Sequence, residues 1–505
     1  MQFRLILSLL GLLITLFSLS MLLPALVGLI YKEDDFYIFI LSFGISMLSG
    51  AILWGVMRGG QGELRTRDGF LITSLFWIVL GLFGALPFFM HPALTLSFTD
   101  SIFESISGLT TTGSTVIVGL DHLPHSLLFY RQQLQWLGGI GIIVIALAIL
   151  PMLGIGGMQL FRAETPGPMK DNKLTPRIAG TAKLLFYIYF AMTIACALSY
   201  WLAGMTPFDA ICHSFSTVAI GGFSTHDASM GYFDSNVILW TSIVFMMLSG
   251  VNFGLHYFAF RNLSLKRYIA DPELRFFYCV IVISSLAIAA ALIANNYAFS
   301  NEGSINSSDS EASFFSQLFS KANFDVFTDA AFQVVSFAST TGFTSTDYTV
   351  WPVVLTVFMF YLAFVGACAG STGGGIKVVR VILILKQAYR ELLNLVHPNA
   401  VISIKLGDKP VKNTVINAVW SFFAIYVLVF FTLFLAILMT GMDFLSAFAA
   451  VGASINNLGP GLGEVASNYT SINDTAKWIL CFAMLTGRLE VFTLLVLFTP
   501  AFWRK

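Results

Sequence analysis

Residues 98–115 read FTDSIFESISGLTTTGST, and this segment decides the fold of the chain. An apolar helix-like pattern runs into three threonines and a glycine, between two stretches long and apolar enough to cross a membrane. A glycine-centred turn exposes backbone carbonyls, which hydrocarbon does not tolerate unless they line a water-filled cavity. The segment therefore predicts a cavity at membrane depth.

The composition is that of a polytopic membrane protein. Of the 505 residues, 57% are hydrophobic and 11% are charged, whereas soluble domains are typically about 25% charged. A membrane-spanning helix needs roughly 20 mostly apolar residues, and the sequence predicts ten of them in an all-α fold. They cover residues 3–30, 36–57, 69–92, 127–154, 181–204, 236–260, 276–297, 351–385, 413–440 and 475–500.

The basic residues predict the orientation in the membrane. Lys and Arg cluster in alternate loops, whereas residues 205–235 and 441–474 contain none and residues 298–350 contain only Lys321. Cytoplasmic loops carry the excess of Lys and Arg. We therefore expect both termini in the cytoplasm and the long inserts between paired spans on the outer side.

Three further inserts match the first one in register. They read PFDAICHSFSTVAIGGFST (207–225), FTDAAFQVVSFASTTGFTS (327–345) and FLSAFAAVGASINNLGPGL (444–462). In each insert a predicted helix N-cap is followed thirteen residues later by a glycine. The predicted caps are Asp100, Asp209, Asp329 and Ser446, and the glycines are Gly113, Gly222, Gly342 and Gly459. Such regularity indicates a repeated structural unit.

The repeated unit predicts a pore. A short helix re-enters the membrane from outside, and the chain returns through a glycine-centred stretch whose backbone angles let carbonyls point inward. Four such stretches around one axis form a ring of carbonyl oxygens that replaces the water shell of a monovalent cation. Two N-terminal helices then precede four helix–pore-loop–helix repeats. The predicted boundaries are 1–64, 65–160, 161–268, 269–395 and 396–505.

The sequence resembles the TrkH/KtrB family of bacterial potassium-translocating subunits, which is related to the plant and fungal HKT and Trk transporters. The segments FRAETPGP (161–168), GSTGGGIKVVR (370–380) and GRLEVFTLLVLFTP (487–500) point to its TrkH branch. The resemblance implies potassium uptake across the bacterial inner membrane by a homodimer with one pore per protomer. It also implies a cytosolic TrkA-type ring that binds nucleotide. Potassium is then the transported ion, and we expect no organic cofactor and no nucleic acid partner.

The resemblance also implies four filter stretches that contact the ion through backbone carbonyls. They are Thr111-Thr112-Gly113, Ile220-Gly221-Gly222, Thr340-Thr341-Gly342 and Asn457-Leu458-Gly459. The fourth departs most, because no hydroxyl residue precedes its glycine. In the plant relatives a serine at the first glycine position accompanies sodium transport, so Gly113 favours potassium. A less selective monovalent cation channel and a sodium- or proton-coupled symporter remain alternatives.

A second glycine-rich segment interrupts the predicted span 351–385. It holds Gly370, Gly373, Gly374 and Gly375, followed by Lys377. A helix break at membrane depth is acceptable only beside a cavity, and the resemblance makes this segment an intramembrane gating loop below the filter. The alternative is that Lys377 begins the following cytoplasmic loop. We call residues 370–376 the glycine loop.

Arg488 lies inside the last predicted span. A buried arginine costs roughly 2.5–3.5 kcal/mol on insertion scales, so its side chain is expected to face the cavity as a positive barrier in the cation path. The alternative is a structural ion pair, for instance with Glu490 or with a residue of a neighbouring repeat. On a regular helix those two side chains point apart, which makes Glu490 a candidate anchor for a neighbouring helix.

Other chemistries find little support in the sequence. The five cysteines form no CxxC pair, so neither a disulfide framework nor a zinc site is indicated. HExxH and GxSG segments, typical of intramembrane enzymes, are absent. His213, in the second pore helix, is expected to be a packing residue. We therefore predict a transport protein and not an enzyme.

Overall fold

The described part of the chain is almost entirely helical, which confirms the predicted all-α class. The computed structural model describes residues 2–58, 66–144, 178–262, 264–294 and 321–504. The segment FRAETPGP and the predicted boundaries at 64 and 160 lie outside these residues. The predicted boundary at 268 falls within a short helix, Lys266–Ala270.

Two N-terminal helices precede the repeats. The first runs over Phe3–Ser18 and Leu22–Tyr31, which are joined by a 3-10 turn, and the second over Tyr37–Met57. One small apolar cluster fixes this hairpin to the body of the protein, because Ile6 and Leu10 pack with residues of the first repeat and of the C-terminal helix. Those residues are Leu71, Ile72 and Phe502.

Each repeat contains a first helix, a short pore helix and a second helix. Repeat one comprises Thr66–Gly84, Leu86–Met90, pore helix one (Phe98–Leu109) and His125–Val144. Repeat two comprises Ile178–Leu202, pore helix two (Pro207–Ala219), Asn236–Ser249 and Phe253–Arg261. Repeat three comprises Pro272–Ala294, pore helix three (Lys321–Ser339), Val353–Val365 and Val378–Val396.

Repeat four follows a small antiparallel hairpin, in which Lys405–Leu406 pairs with Lys409–Pro410. It comprises Asn413–Leu438, pore helix four (Phe444–Ile455), Asp474–Arg488, Phe492–Leu495 and Pro500–Trp503. The architecture of four repeats after an N-terminal hairpin is therefore the one that the sequence predicts.

Six continuous helices among the described residues are long and apolar enough to cross a membrane. They are Phe3–Tyr31, Asp34–Met57, Arg67–Met90, Lys183–Leu202, Pro272–Ala294 and Asn413–Leu438. Two more predicted spans are bent, by 93° after Ser249 and by 110° after Arg488. The predicted span 351–385 is interrupted between Val365 and Val378. The predicted span 127–154 is described only as far as Val144.

The predicted N-caps of the pore helices are wrong. Pore helices one and two are capped by Ser97 and Thr206, three residues before the predicted Asp100 and Asp209. Asp443 caps pore helix four in place of Ser446, and pore helix three runs through Asp329 from Lys321. The error has a physical reason: an acid at the third helical position completes a capping box with a Ser or Thr cap. In pore helix one both bonds of that box are present.

The pore helices lie in the interior of the protein. Every residue of pore helix one from Ser101 to Leu109 is buried, and so is every residue of pore helix two from Thr217 to Ala219. The surrounding helices instead leave large apolar side chains exposed, such as Leu26, Leu48 and Leu428. Such surfaces suit a hydrocarbon environment. The four filter stretches are therefore enclosed by protein at the centre of the molecule.

Candidate functional site

The four pore helices end in the same hydrogen-bond pattern. In each repeat the N–H of the first filter residue bonds to the carbonyl three residues back, at 3.0–3.2 Å, and the N–H of the second bonds five residues back, at 2.8–2.9 Å. This pair of bonds is a Schellman motif, whose penultimate residue takes the left-handed conformation. The first filter residues accordingly have positive φ. The values are 54° for Thr111, 55° for Ile220, 64° for Thr340 and 52° for Asn457.

Three of these four left-handed residues are β-branched. The left-handed conformation costs an L-residue about 1–2 kcal/mol, and only Asn457 is of a type that adopts it readily. Strain of this kind persists where the surroundings hold the backbone in place, and it clusters at functional sites. The conformation of the filter stretches at Thr111, Ile220 and Thr340 is therefore imposed by the surrounding structure and not by local preference.

The glycine that ends each filter stretch lies against the next repeat. A Cβ on any of these four glycines would come within 2.0–2.6 Å of a carbonyl oxygen of that repeat. The contacts run from Gly113 to Gly221, from Gly222 to Thr341, from Gly342 to Leu458, and from Gly459 to Thr112. The fourth repeat thus closes on the first. The second filter residues place their carbonyl oxygens at equivalent positions of one closed ring, and such a ring can coordinate a dehydrated monovalent cation.

The ring is not fully symmetric in its hydrogen bonds. Gln135 donates from Nε2 to the carbonyl of Gly221 at 2.5 Å and accepts the N–H of Phe223 at 3.1 Å. Tyr469 donates its hydroxyl to the carbonyl of Gly459 at 2.8 Å. Asn457 donates to the Thr112 hydroxyl at 2.9 Å. Side-chain hydrogen bonds therefore hold filter carbonyls of repeats two and four, at Gly221 and Gly459.

The glycine loop lies directly below the filter stretches. The Gly374 N–H donates to the hydroxyl of Thr340 at 2.7 Å, and the Thr372 hydroxyl donates to the carbonyl of Val218 at 3.0 Å. A Cβ on Gly374 would lie 2.0 Å from the carbonyl oxygen of Asn456. The loop therefore contacts the C-terminal ends of pore helices two, three and four.

Lys377 belongs to this loop region. Lys377 is buried and has a φ of 81°. Its ammonium group donates to the carbonyl of Gly373. The alternative that Lys377 only begins a cytoplasmic segment does not fit this position. Its side chain instead folds back onto the loop that precedes it.

Arg488 connects the glycine loop to repeat one. It is 4% exposed, and its two terminal nitrogens donate to the carbonyls of Thr372 and Gly138, both at 2.9 Å. Arg488 lies within the last predicted span, at the residue after which that span bends by 110°. The alternative ion pair with Glu490 is wrong, because Glu490 pairs with Arg380 at 2.7 Å. Glu490 therefore anchors a neighbouring helix, as predicted, although its positive φ shows that no regular helix continues there.

Sequence reasoning missed the polar side chains behind the filter. The segment RQQLQ (131–135) inside a predicted span is a signal that could have found Arg131 and Gln135. His213 is a satisfied buried histidine, with Nδ1 at 2.9 Å from the Asp209 carbonyl and Nε2 at 2.9 Å from the Ser224 hydroxyl. The part of the chain that the structure describes holds no group of His, Cys, Asp and Glu arranged to bind a metal.

A cluster of titratable groups lies between the segments that follow the first and second filter stretches. The Nδ1 of His226 lies 2.5 Å from a carboxylate oxygen of Asp121, and its Nε2 lies 3.4 Å from a carboxylate oxygen of Asp209. Burial alone would lower the pKa of His226, but the two carboxylates outweigh burial and raise that pKa above its ordinary value. His226 therefore links pore helix two to the segment that follows the first filter stretch.

A fold of four pore-loop repeats closed into a carbonyl ring defines a membrane transport protein. The family described as TrkH, cation transport protein, matches residues 37–505. The chain belongs to this family, and it is a transporter and not an enzyme.

Relatives match the chain over its whole length. A Trk system potassium uptake protein TrkH of Salmonella typhimurium (strain LT2) is 54% identical over 505 residues, with 100% of both chains covered. The Trk system potassium uptake protein TrkG of Escherichia coli (strain K12) is 41% identical over 504 residues, with 99% of both covered. The crystal structure of the potassium transporter TrkH from Vibrio parahaemolyticus superposes with a TM-score of 0.89 at 51% identity and covers 100% of both chains.

Proposed function

We propose that this protein takes up potassium ions across the bacterial inner membrane. The observation that supports this most directly is the closed ring, in which each filter glycine touches a carbonyl of the next repeat. Carbonyl rings select potassium by replacing its hydration shell. Relatives over the full length of the chain are named potassium uptake proteins.

The proposed ion contacts are the backbone carbonyls of the four filter stretches. The Schellman bonds and the glycine contacts with the next repeat are common to all four stretches, so stretches as different as Thr-Thr-Gly and Asn-Leu-Gly can present their carbonyls in the same way. Gly113 is proposed to favour potassium over sodium, because a side chain at its φ of 84° would displace the neighbouring carbonyl of Gly221.

The glycine loop and Arg488 are proposed to close the path below the filter. Supporting this, the loop touches three pore helices and Arg488 donates to the loop carbonyl of Thr372. The guanidinium charge repels a cation that leaves the ring, and Lys377 keeps the loop folded beneath it. Opening then requires the loop to move away from Thr340 and Val218.

The proposed assembly is a homodimer with one pore per protomer, regulated by a cytosolic TrkA-type ring that binds nucleotide. Both termini are proposed to be cytoplasmic and the pore loops to face outward, since the basic residues cluster in the loops opposite the pore loops. Nucleotide control is assigned to the partner because the chain contains no nucleotide-binding fingerprint.

Potassium and sodium flux into liposomes that contain only this protein tests the proposal. We expect potassium entry driven by the membrane potential, with a reversal potential that follows the potassium gradient. Equal permeability to potassium and sodium would overturn the proposal of a potassium filter.

A less selective cation channel is the second candidate. It is favoured by the asymmetry of the ring, in which Gln135 occupies one face of the Gly221 carbonyl. The same liposomes separate the candidates, because a channel of this kind passes sodium at a comparable rate. A sodium- or proton-coupled symporter instead shows potassium uptake that depends on the second gradient at fixed membrane potential.

A further inference from the structure

A buried ion pair lies behind the first filter stretch. Glu104 on pore helix one is 0% exposed and Arg131 on the second helix of repeat one is 1% exposed, with Nε of the arginine 2.9 Å from the carboxylate. The arginine also stacks 4.3 Å from the ring centre of Phe223. Both charges are thus fully removed from solvent and held in one orientation.

The carboxylate of this pair holds the chain that leaves the first filter stretch. It accepts the Val116 N–H at 3.0 Å and the Thr115 hydroxyl at 3.0 Å. The same hydroxyl accepts a hydrogen bond from Arg131 at 3.0 Å. Thr115 is therefore fixed to both charges, and Val116 to the carboxylate.

The arginine of the pair reaches the second repeat. Its Nη1 donates to the carbonyl of Ser224 at 3.0 Å, and Ser224 lies two residues after Gly222. A single ion pair thus connects the segments that follow two adjacent filter stretches. The filter glycines of these repeats are themselves in contact, since Gly113 lies against the Gly221 carbonyl.

The equivalent position differs in the other repeats. Nine residues before each filter glycine stand Glu104, His213, Gln333 and Ala450. His213 contacts the Ser224 hydroxyl at 2.9 Å, and Gln333 donates to the Thr346 carbonyl at 3.1 Å, so both hold the chain after their own filter stretch. Ala450 has no polar atom for this purpose. Among these four positions, only that of repeat one carries a carboxylate. Only there does an ion-paired arginine, Arg131, connect the position to the next repeat.

We propose that the Glu104–Arg131 pair is a positioning element that sets the spacing between the filter stretches of repeats one and two, and thereby the preference for potassium over sodium. A buried ion pair is weak evidence for a contribution to stability, because desolvation offsets the attraction between the charges. Its hydrogen bonds, in contrast, are directional and end on the backbone next to the ring. The inference rests on the proposed filter function.

The experiment measures the potassium-to-sodium permeability ratio from reversal potentials in liposomes, together with the melting temperature of each variant. The double variant Glu104→Leu/Arg131→Met replaces both charges by apolar side chains of similar volume, which typically keeps or raises stability. Thr115→Val is a milder change, since it removes only the hydroxyl that both charges contact. Glu490→Gln is the control, because it disrupts a different ion pair, in which Glu490 lies 2.7 Å from Arg380. Neither residue of that pair belongs to a filter stretch.

We expect the double variant to fold and its permeability ratio to fall by at least about fivefold, which corresponds to about 1 kcal/mol. Thr115→Val should lower the ratio less, and Glu490→Gln should keep it. If Thr115→Val and the folded double variant keep the wild-type ratio, the pair is only structural and the inference is wrong. If the double variant does not fold, an unchanged ratio in Thr115→Val alone overturns it. A wild-type ratio near one contradicts the proposed filter itself, so the two failures are distinguishable.

Discussion

The ring of filter stretches and the glycine loop below it are built by opposite strategies. The ring repeats one backbone motif four times, with the same Schellman bonds and the same glycine contact in every repeat. The loop occurs once, in repeat three, where the span breaks between Val365 and Val378. A single loop nevertheless reaches three pore helices through contacts at Val218, Thr340 and Asn456.

The difference fits the separate tasks that we propose for the two regions. Coordination of an ion requires equivalent oxygens around one point, which symmetry provides. Closing a path requires only one segment that can enter or leave it, and we propose this task for the glycine loop, which occurs once and touches three pore helices. Changes in the ring should therefore alter selectivity, whereas changes in the loop should alter the rate of flux at unchanged selectivity.

The largest effect is expected for Gly342→Ser in the ring. Its φ of 83° is unfavourable for serine, by about 1–2 kcal/mol, and its Cβ would lie 2.0 Å from the Leu458 carbonyl oxygen. That carbonyl must move, and we expect the potassium-to-sodium permeability ratio to fall by more than about tenfold, equivalent to about 1.4 kcal/mol. Reversal potentials in liposomes measure this ratio.

Gly119→Ser is the matched control for that variant. Gly119 has a comparable φ of 75°, but no atom outside its chain neighbours lies within 4 Å of the position of its Cβ. The backbone strain is therefore similar and the carbonyl contact is absent. If both variants reduce the ratio equally, backbone strain and not the ring contact explains the loss.

The second effect in size concerns deletion of the glycine loop, residues 370–376. The carboxylate of Glu273 accepts the N–H groups of Ala369 at 2.7 Å and Val379 at 3.3 Å, so the two ends of the loop are already anchored side by side. We expect potassium flux without any partner to rise at least about tenfold, equivalent to about 1.4 kcal/mol of barrier, at an unchanged permeability ratio. A folded deletion protein with unchanged or lower flux would show that the loop does not close the path.

The sequence predicts the four filter stretches better than the helix caps and side-chain contacts that hold them. A glycine thirteen residues after Asp100, Asp209, Asp329 or Ser446 locates the four stretches whose backbone geometry the structure repeats. The same regularity misplaced the N-caps, since an acid at the third helical position resembles a cap when the preceding Ser97 or Thr206 is overlooked. Periodicity within single segments also gives no information on which distant segments meet, so the pair of Glu104 and Arg131 was missed.

Arg488 shows the same limit in the lower region. The burial of Arg488 was predictable from its place in an apolar span. The bend of that span after Arg488 and the hydrogen-bond partners of the side chain were not. Those partners are backbone carbonyls of Thr372 and Gly138, which exist only in the folded arrangement of repeats one, three and four. Helical geometry alone could exclude Glu490 as the partner of Arg488, but it could not identify the carbonyls of Thr372 and Gly138 as its partners.

The third prediction separates charge from anchorage at Arg488. Arg488→Ala removes the barrier charge and leaves two buried carbonyls without their donor, so we expect flux to rise by about threefold to tenfold while stability falls by about 1–3 kcal/mol. Arg488→Lys keeps the charge and only part of the hydrogen bonding, so its stability should fall while its flux stays near the wild-type rate. Flux per folded molecule and thermal stability are measured together. Lower flux in Arg488→Ala would identify the residue as a structural support of the pore.

The smallest effect is expected where the two regions touch, at the hydrogen bond from the Gly374 N–H to the Thr340 hydroxyl. Thr340→Val removes this acceptor but keeps a β-branched side chain at the same left-handed position, so the strain and the backbone carbonyl of the filter residue are preserved. A typical hydrogen bond contributes about 0.5–1.5 kcal/mol, and the loop should therefore leave its closed position more readily. We expect flux to rise about twofold to fivefold at an unchanged permeability ratio. Thr341→Val is the control, because the Thr341 hydroxyl bonds to Ser339 at 2.7 Å within its own repeat. A change of selectivity in Thr340→Val, with flux unaltered, would mean that this residue acts on the ring alone and that the two regions are not coupled through it.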